Sequence, residues 1–453
     1  MMIPQISPSV SPSESAMRTV SGFSRRSFFG RSALVLGLWS CHDGGLPSGA
    51  GQGAWAQEGT LPPKLARVGS LITLPASSPP RPLGRACVAL DPQLPPGPLQ
   101  LRETTGGSER VIAVQVESAT ASNQPPRLWW IVDGGLPAGG KRTYRLEAAD
   151  KPAPDRVEVT RNRSFVGVEI GGRPMLRYNA AHVAPATDVD PKYGRSAHIH
   201  PVQTPSGVVV TDEFPPDHLH QSGLFLAYTR TEFEGRSPNF WDLLGGTGRV
   251  RFQALKGTSS GPVWGEFTTL HQHVDTSGPT EKIPLTEEWR MRAWTLGGPG
   301  TGYWVCDITT TRQAAAETAL KILQYHYGGM ALRGARGWNP QVTQVRTADG
   351  QDRIAGNHSR PHWAALHGPV QDKTAGLALL THPDNFRFPE PVRIHPDMPY
   401  LVYTPAQLGD FAFEPGQPQT SHYRFVFFDG EIAPRQLDAL WDDFAHPWTA
   451  TVD

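Results

Sequence analysis

"SFVGVEIGGRPMLRY", residues 164–178, decides the fold. Val166, Val168 and Ile170 alternate with Gly167 and Glu169, so three branched side chains fall on one face of an extended segment. Gly171-Gly172 then supplies the positive φ that a two-residue hairpin demands. "LTEEWRMRAW" (285–294) alternates in the same way, with Glu287, Trp289 and Met291 on one face and Glu288, Arg290 and Arg292 on the other. "GYWVCDITTT" (302–311), "AGLALLTH" (375–382) and "HYRFVFFDG" (422–430) continue the pattern. The 44 prolines and 47 glycines recur between short β-rich runs, as a chain of many turns requires. Together these features predict an all-β protein built on a large antiparallel β-sandwich. No internal repeat of propeller or solenoid length interrupts that expectation.

Working outward from this core, the runs "ACVAL" (86–90), "LQLRE" (99–103), "RVIAVQVE" (110–117), "RLWWIVD" (127–133) and "KRTYRLEA" (141–148) predict a small β-domain over 86–150. "KPAPD" (151–155) links it onward to a larger domain over 155–446, and residues 57–85 read as a Pro/Ser-rich leader. One helix is expected at 433–445. Pro434 sits in the first turn, where a missing N–H costs nothing, and Leu437, Leu440, Trp441 and Phe444 recur at helical spacing.

The N-terminal stretch "SRRSFFGRSALVLGLWS" (24–40) pairs Arg25 with Arg26 ahead of a short apolar run. With Ala54-Trp55-Ala56 as a cleavage site, residues 1–56 read as a twin-arginine export signal, which places the mature chain in the periplasm or outside the cell. The apolar run is too short for a spanning helix. Cys41 keeps a lipid anchor open. The chain balances 42 basic against 42 acidic residues, and removing 1–56 takes away four arginines and two acids, leaving a slightly negative protein. Such a balance gives no reason to expect nucleic acid or an anionic membrane as partner. Cys87 and Cys306 fall in different expected domains and read as two separate thiols. No Gly-rich phosphate loop, G-x-S-x-G elbow, H-E-x-x-H helix or C-x-x-C pair is present, which excludes the common nucleotide-binding, serine-hydrolase and zincin chemistries.

Histidines carry the remaining signal. "HIHP" (198–201) and "DHLHQSG" (217–223) each hold two imidazoles spaced by two, which on a strand would face one side. Convergence of His198, His200, His218 and His220 would make a divalent-metal site, with Asp217 orienting one ring. Alternatively these groups bind a polar ligand or transfer protons. His271 and His273 in "LHQHVD" (270–275) repeat the spacing and read as an exposed strand.

Several longer motifs, "HPVQTPSGVVVTDEFPPDHLHQSGLFLAY" (200–228), "NFWD" (239–242), "YHYGGMALRG" (325–334), "AGLALLTHPDNFRFPEPVRIH" (375–395) and "YRFVFFDG" (423–430), resemble the PmoA-like "methane oxygenase" family, an uncharacterised secreted domain of polysaccharide-degrading bacteria. The resemblance covers roughly 155–446, and "AVQVE…LPAGGKRTYRL" resembles the β-segment that often precedes it. It implies a mutarotase-like or supersandwich β-sandwich and a carbohydrate context. The family pattern Asp-His-Pro-His-His-Arg-Gly is departed from here at Leu219, Gln221 and Ser222, which removes a third histidine. Arg393 and His395 stand in the order opposite to the family's.

On these grounds the expected catalytic groups are His218, His220, Asp217, His200, His382 and Glu288. His382 opens a loop in "THPDN" (381–385), and Glu288 offers a carboxylate for acid–base work. Expected ligand-binding groups are Arg333, whose guanidinium suits a uronate carboxylate or a diol, His326, and Trp241 and Trp338 in turn-rich contexts. The sequence therefore predicts an exported carbohydrate hydrolase, lyase or epimerase with His/Asp/Glu acid–base groups in an open groove. The alternatives are a non-catalytic glycan-binding protein and a metal-dependent oxidoreductase. Expected partners are a glycan or other small molecule and the twin-arginine machinery. The sequence names no cofactor, and a divalent metal at the four histidines stays open.

Overall fold

A computed structural model describes residues 64–75, 82–104, 109–119, 124–136, 139–298 and 300–453. The stretch expected to serve as an export signal, with Arg25, Arg26, Cys41 and Ala54-Trp55-Ala56, lies outside the described residues. Among those described, the chain is all-β with one α-helix, Pro434–Ala445, and no helix long and apolar enough to cross a membrane.

Two eight-stranded antiparallel sheets form the large sandwich. The first runs, in spatial order, Val392–Ile394, Tyr400–Tyr403, Gly328–Arg333, Leu224–Tyr228, His198–Val202, Arg173–Asn179, Phe165–Ile170 and Val157–Arg161. The second contains the long strands Gly248–Ser259, Trp264–Asp275, Lys282–Gly298, Tyr303–Ala314 and Gln419–Asp429, and ends with Lys373–Thr381, Trp363–Val370 and Gln344–Thr347. The opening hairpin forms as its sequence dictates. Gly171 and Gly172 take φ of 57° and 71°, and Val166, Val168 and Ile170 turn inward. There they join Trp289, Met291, Ile308, Leu377, Phe425 and Phe427 of the second sheet in one core. The alternation of "LTEEWRMRAW" is met too, since Glu287, Trp289 and Met291 are fully buried while Glu288 is exposed.

The second sheet is covered on its other face as well. Trp294, Val305, Trp363, Val426 and Phe428 pack there against Leu437, Leu440 and Phe444 of the helix and against Cys87 and Trp129. A cluster of charge crosses this seam. Arg85 Nε donates to Asp443 Oδ2 at 2.8 Å and its Nη1 to Asp307 Oδ2 at 3.0 Å, while Arg424 donates to the same two acids at 2.7 Å each. Cys87 and Cys306 are free and buried, and burial raises both thiols.

The small N-terminal part is itself a sandwich of a five-stranded and a four-stranded sheet. The five runs read from sequence are all strands, with "RVIAVQVE" interrupted at Val114. Two additions were not legible. Leu71–Pro75, inside the expected leader, is a strand whose Ile72 and Leu74 are fully buried. Trp448–Thr449 and Thr451–Val452, at the C-terminus, pair with Gly84–Ala89 and Leu71–Pro75. The small sandwich is thus closed by Trp448–Thr449 and Thr451–Val452, and the described residues belong to one compact unit.

Candidate functional site

The segment between His198–Val202 and Leu224–Tyr228 builds the site. "TPSG" turns back, with Gly207 N–H donating to Thr204 C=O at 2.9 Å and Val210 N–H to Val202 C=O at 3.0 Å. The chain then rises into two successive turns, closed by His218 N–H to Pro215 C=O and Gln221 N–H to His218 C=O, both 2.9 Å. His218 and His220 therefore project from turns rather than from a strand face. Gly223 ends the excursion with φ +54, where a Cβ would lie 1.9 Å from Ile199 O, so only glycine returns the chain to the sheet here.

Three imidazoles meet at this loop. His218 and His220 stand edge to face with ring centroids 5.3 Å apart, and His395 approaches His218 at 5.9 Å. A cavity of about 440 Å³ opens beside them. His218, His220 and Gln221 line one side, and Trp241, Asp242, Tyr325, Tyr327 and Tyr400 the others. Its volume falls in the range of roughly 300–1,000 Å³ that accommodates small ligands. Burial lowers His220 and His395 to about 4, so both rings are neutral at neutral pH. His218 Nδ1 is buried with no hydrogen-bond partner. Asp242 Oδ1 lies 3.8 Å from His220 Nδ1, too far for a hydrogen bond but close enough to favour an imidazolium if one forms. Arg195, buried beneath, fixes the loop by donating from Nη1 to His220 C=O at 2.9 Å. The aromatic wall is continuous, for Trp241 and Tyr327 stack at 6.1 Å and Tyr327 meets Tyr400 at 5.8 Å.

The structure brings together some expected residues and separates others. Asp217 does not orient a histidine. It accepts both contacts of Arg333 Nη2, at 2.8 and 3.0 Å, while Arg333 Nη1 donates to Gln221 Oε1 at 3.0 Å. Arg333 is thus a buried tie for the loop, and not the free guanidinium expected to grip a ligand, because its fork is already filled. His200 belongs elsewhere: its Nδ1 is paired with Thr211 Oγ1 at 2.9 Å, and burial lowers it to about 4. His198, fully buried, is bonded to Glu213 and to Asn179. The four histidines are therefore two separate pairs, and among the described residues no group of three His, Cys, Asp or Glu is arranged to hold a metal ion.

His382 lies in a different cavity, beside His422. Glu288 is exposed on an interior strand, paired with Leu270 on one side and Thr311 on the other, and the acid that enters the core is its neighbour Glu287. Trp338 is buried, with Nε1 donating to Pro369 C=O at 2.8 Å, so it offers no ring to a ligand. Trp241 lines the cavity but is only 3% exposed, leaving Tyr325 and Tyr327 as the open aromatic surface. His326 packs between those two tyrosines, at 4.2 and 4.3 Å, and braces them from outside the cavity lining. His271 and His273 are not an exposed strand. They are buried in the core with Glu287, which accepts from His273 Nε2 at 3.0 Å. The sequence reading missed Asp242, Tyr327 and His395 as site groups. Asp242 and His395 lay within the quoted "NFWD" and "PVRIH", but nothing local shows that these segments meet.

Residues 166–442 match a family described only as a family of unknown function, DUF6807. The chain belongs to that family. This corrects the resemblance to the PmoA-like family, for which no match is found. The motifs quoted from residues 200–430 lie within the matched span, and "AVQVE…LPAGGKRTYRL" lies before it. No curated protein matches the chain. Among solved structures it is similar to an α-mannosidase from Enterococcus faecalis V583, at 9% identity and TM-score 0.37, over 86% of this chain and 46% of the enzyme. It is also similar to a heparan sulfate lyase mutant from Pedobacter heparinus, at 8% identity and TM-score 0.28, over 62% of this chain and 38% of the lyase. This chain thus spans less than half the length of either protein.

Proposed function

We propose that the chain is an exported carbohydrate-active enzyme, a hydrolase, lyase or epimerase, whose reaction takes place in the cavity lined by His218 and His220. The observation that carries this reading is that His218 and His220, with His395 packed against His218, line a cavity opposite an open wall of tyrosines. Tyrosine rings present an apolar face and a polar rim, which suits a sugar ring with its alternating C–H and O–H surfaces. His220, neutral at neutral pH, accepts a proton from a ligand hydroxyl or an activated C–H, and Asp242 stabilises the imidazolium that results. His218, edge-on to His220, hydrogen-bonds the ligand beside it. Arg333 and Arg195 position the loop and take no part in proton transfer.

A second reading, a glycan-binding protein without turnover, is favoured by one distance: the 3.8 Å between Asp242 and His220 leaves the carboxylate–imidazole pair unjoined. Screening the purified protein against a glycan library for new reducing ends, unsaturated products or epimers separates the two. Turnover that His220→Asn abolishes, with glycan binding retained, supports the enzyme. Binding by the unaltered protein with no turnover on any glycan establishes the second reading. Export by the twin-arginine route is part of the proposal, and Arg25→Lys/Arg26→Lys should hold the precursor in the cytoplasm.

A further inference from the structure

A second cavity, of about 330 Å³, lies at the seam between the small sandwich and the outer face of the long-stranded sheet. It shares no lining residue with the histidine cavity. Arg85, Arg127, Arg290 and Arg292 face it, with Glu117, Asp307 and Asp384 as the acids.

The pairing of these charges leaves two cations with free donors. Arg85 is held by Asp443 and Asp307. Arg292 is held by Glu266 through Nε at 2.8 Å and by Glu117 through Nη2 at 2.7 Å, with its guanidinium 4.0 Å over the Trp264 ring. Arg127, by contrast, is exposed and makes no ion pair among the described residues. Arg290 is 36% exposed, and its nearest carboxylate oxygens, on Glu117 and Glu266, stand at 3.6 and 3.7 Å, beyond hydrogen-bond reach. The one acid not committed to an arginine is Asp384, which is 79% exposed at the rim, 3.5 Å from His382.

We propose that this seam is a second ligand site, for a saccharide that carries a carboxylate or a sulfate. Arg127 and Arg290 supply the fork-shaped donors that match an oxyanion. The rest of the cavity is too large for a bare inorganic anion and is made for a ring with hydroxyls. His382 and His422, 5.2 Å apart, are both kept neutral by burial, so each ring offers hydrogen bonds without adding charge. Edges of Trp129 and Phe444 supply apolar wall. This gives His382 the ligand-facing place that the sequence suggested, in a different cavity from the one expected.

The site is tested by titrating the full chain with glucuronate, with glucose and with sodium sulfate at constant ionic strength, following tryptophan fluorescence and heat. Glucuronate is expected to bind saturably, with glucose and sulfate each at least tenfold weaker. Arg127→Ala/Arg290→Gln should weaken glucuronate about tenfold or more, as loss of charge-assisted hydrogen bonds implies, while Tyr327→Ala in the other cavity leaves it unchanged. Arg127→Ala alone, on an exposed side chain, serves if the double variant does not fold. The proposal is overturned if glucuronate does not bind, if glucose or sulfate binds as tightly, if Arg127→Ala has no effect, or if Tyr327→Ala is the variant that abolishes binding. None of these outcomes bears on turnover at His220, so the two sites fail independently.

Discussion

The segments 217–223 and 270–275 spell the same pattern, two histidines spaced by one residue, and the fold gives them opposite surroundings. His271 and His273 sit on the strand Trp264–Asp275, second from the edge of the long-stranded sheet, each at most 1% exposed, with Glu287 of the adjoining strand across from them. Burial pushes Glu287 up, but the two imidazoles outweigh it and hold the carboxyl well below the ordinary range. Tyr178 OH is bonded to His271 at 2.7 Å and Thr310 to Glu287, which closes a polar network inside the core. His218 and His220 sit on turns at a cavity mouth, and the nearest acid, Asp242, stops short at 3.8 Å. One pair is joined and enclosed, and the other is unjoined and open. Spacing alone thus says nothing about role. What decides it is whether a carboxylate from another segment arrives within hydrogen-bond distance and whether solvent can follow.

The comparison can be broken at several points. The largest effect is expected at the enclosed pair: Glu287→Ala leaves His273 and Thr310 without their partner and opens a cavity, costing about 3–5 kcal/mol in denaturant unfolding. A variant of unchanged stability would show that the core network is not structural. Next, His220→Asn should lower turnover by about 100-fold or more, the scale of general acid–base catalysis, with the melting temperature nearly unchanged. Unfolding of that variant would place His220 with the structural histidines. Tyr327→Ala should weaken glycan affinity about tenfold while leaving the rate at saturation close to normal, and a fall in rate alone would move Tyr327 out of the binding wall.

The smallest effect is in pH. His220 and His395 bind protons near 4 when folded and near 6.5 when unfolded, so the unfolded chain holds more protons between those values. Their stabilisation is complete above about pH 6.5 and is lost as pH falls towards 4. Glu390, buried and raised to about 7, acts with the opposite sign: its contribution is present below about pH 4.5 and is lost as pH rises through 7. Melting curves of His220→Asn and Glu390→Gln should flatten the acid and the neutral limbs respectively, and unaltered slopes would remove these groups as their source.

By itself the sequence determined the class of fold and most of its strands, because alternation and Gly-Gly turns act over a few residues. Val166, Val168 and Ile170 face inward for the reason visible in their spacing. The helix at Pro434–Ala445 was equally legible from Pro434 and the apolar stripe behind it. It also marked the "DHLHQSG" loop as the place to look, since an H-x-H between a turn and a glycine is visible without a structure. Tertiary structure alone decided the partners. Arg333 reached Asp217 across 116 residues, Asp242 took the place beside His220 that Asp217 was expected to fill, and His382 was carried to the other cavity. The closing of the small sandwich by Thr451–Val452 was equally invisible. Each of these contacts joins segments far apart in the chain. Which donor meets which acceptor is then fixed by sheet order and register, and neither quantity is written in local residue spacing.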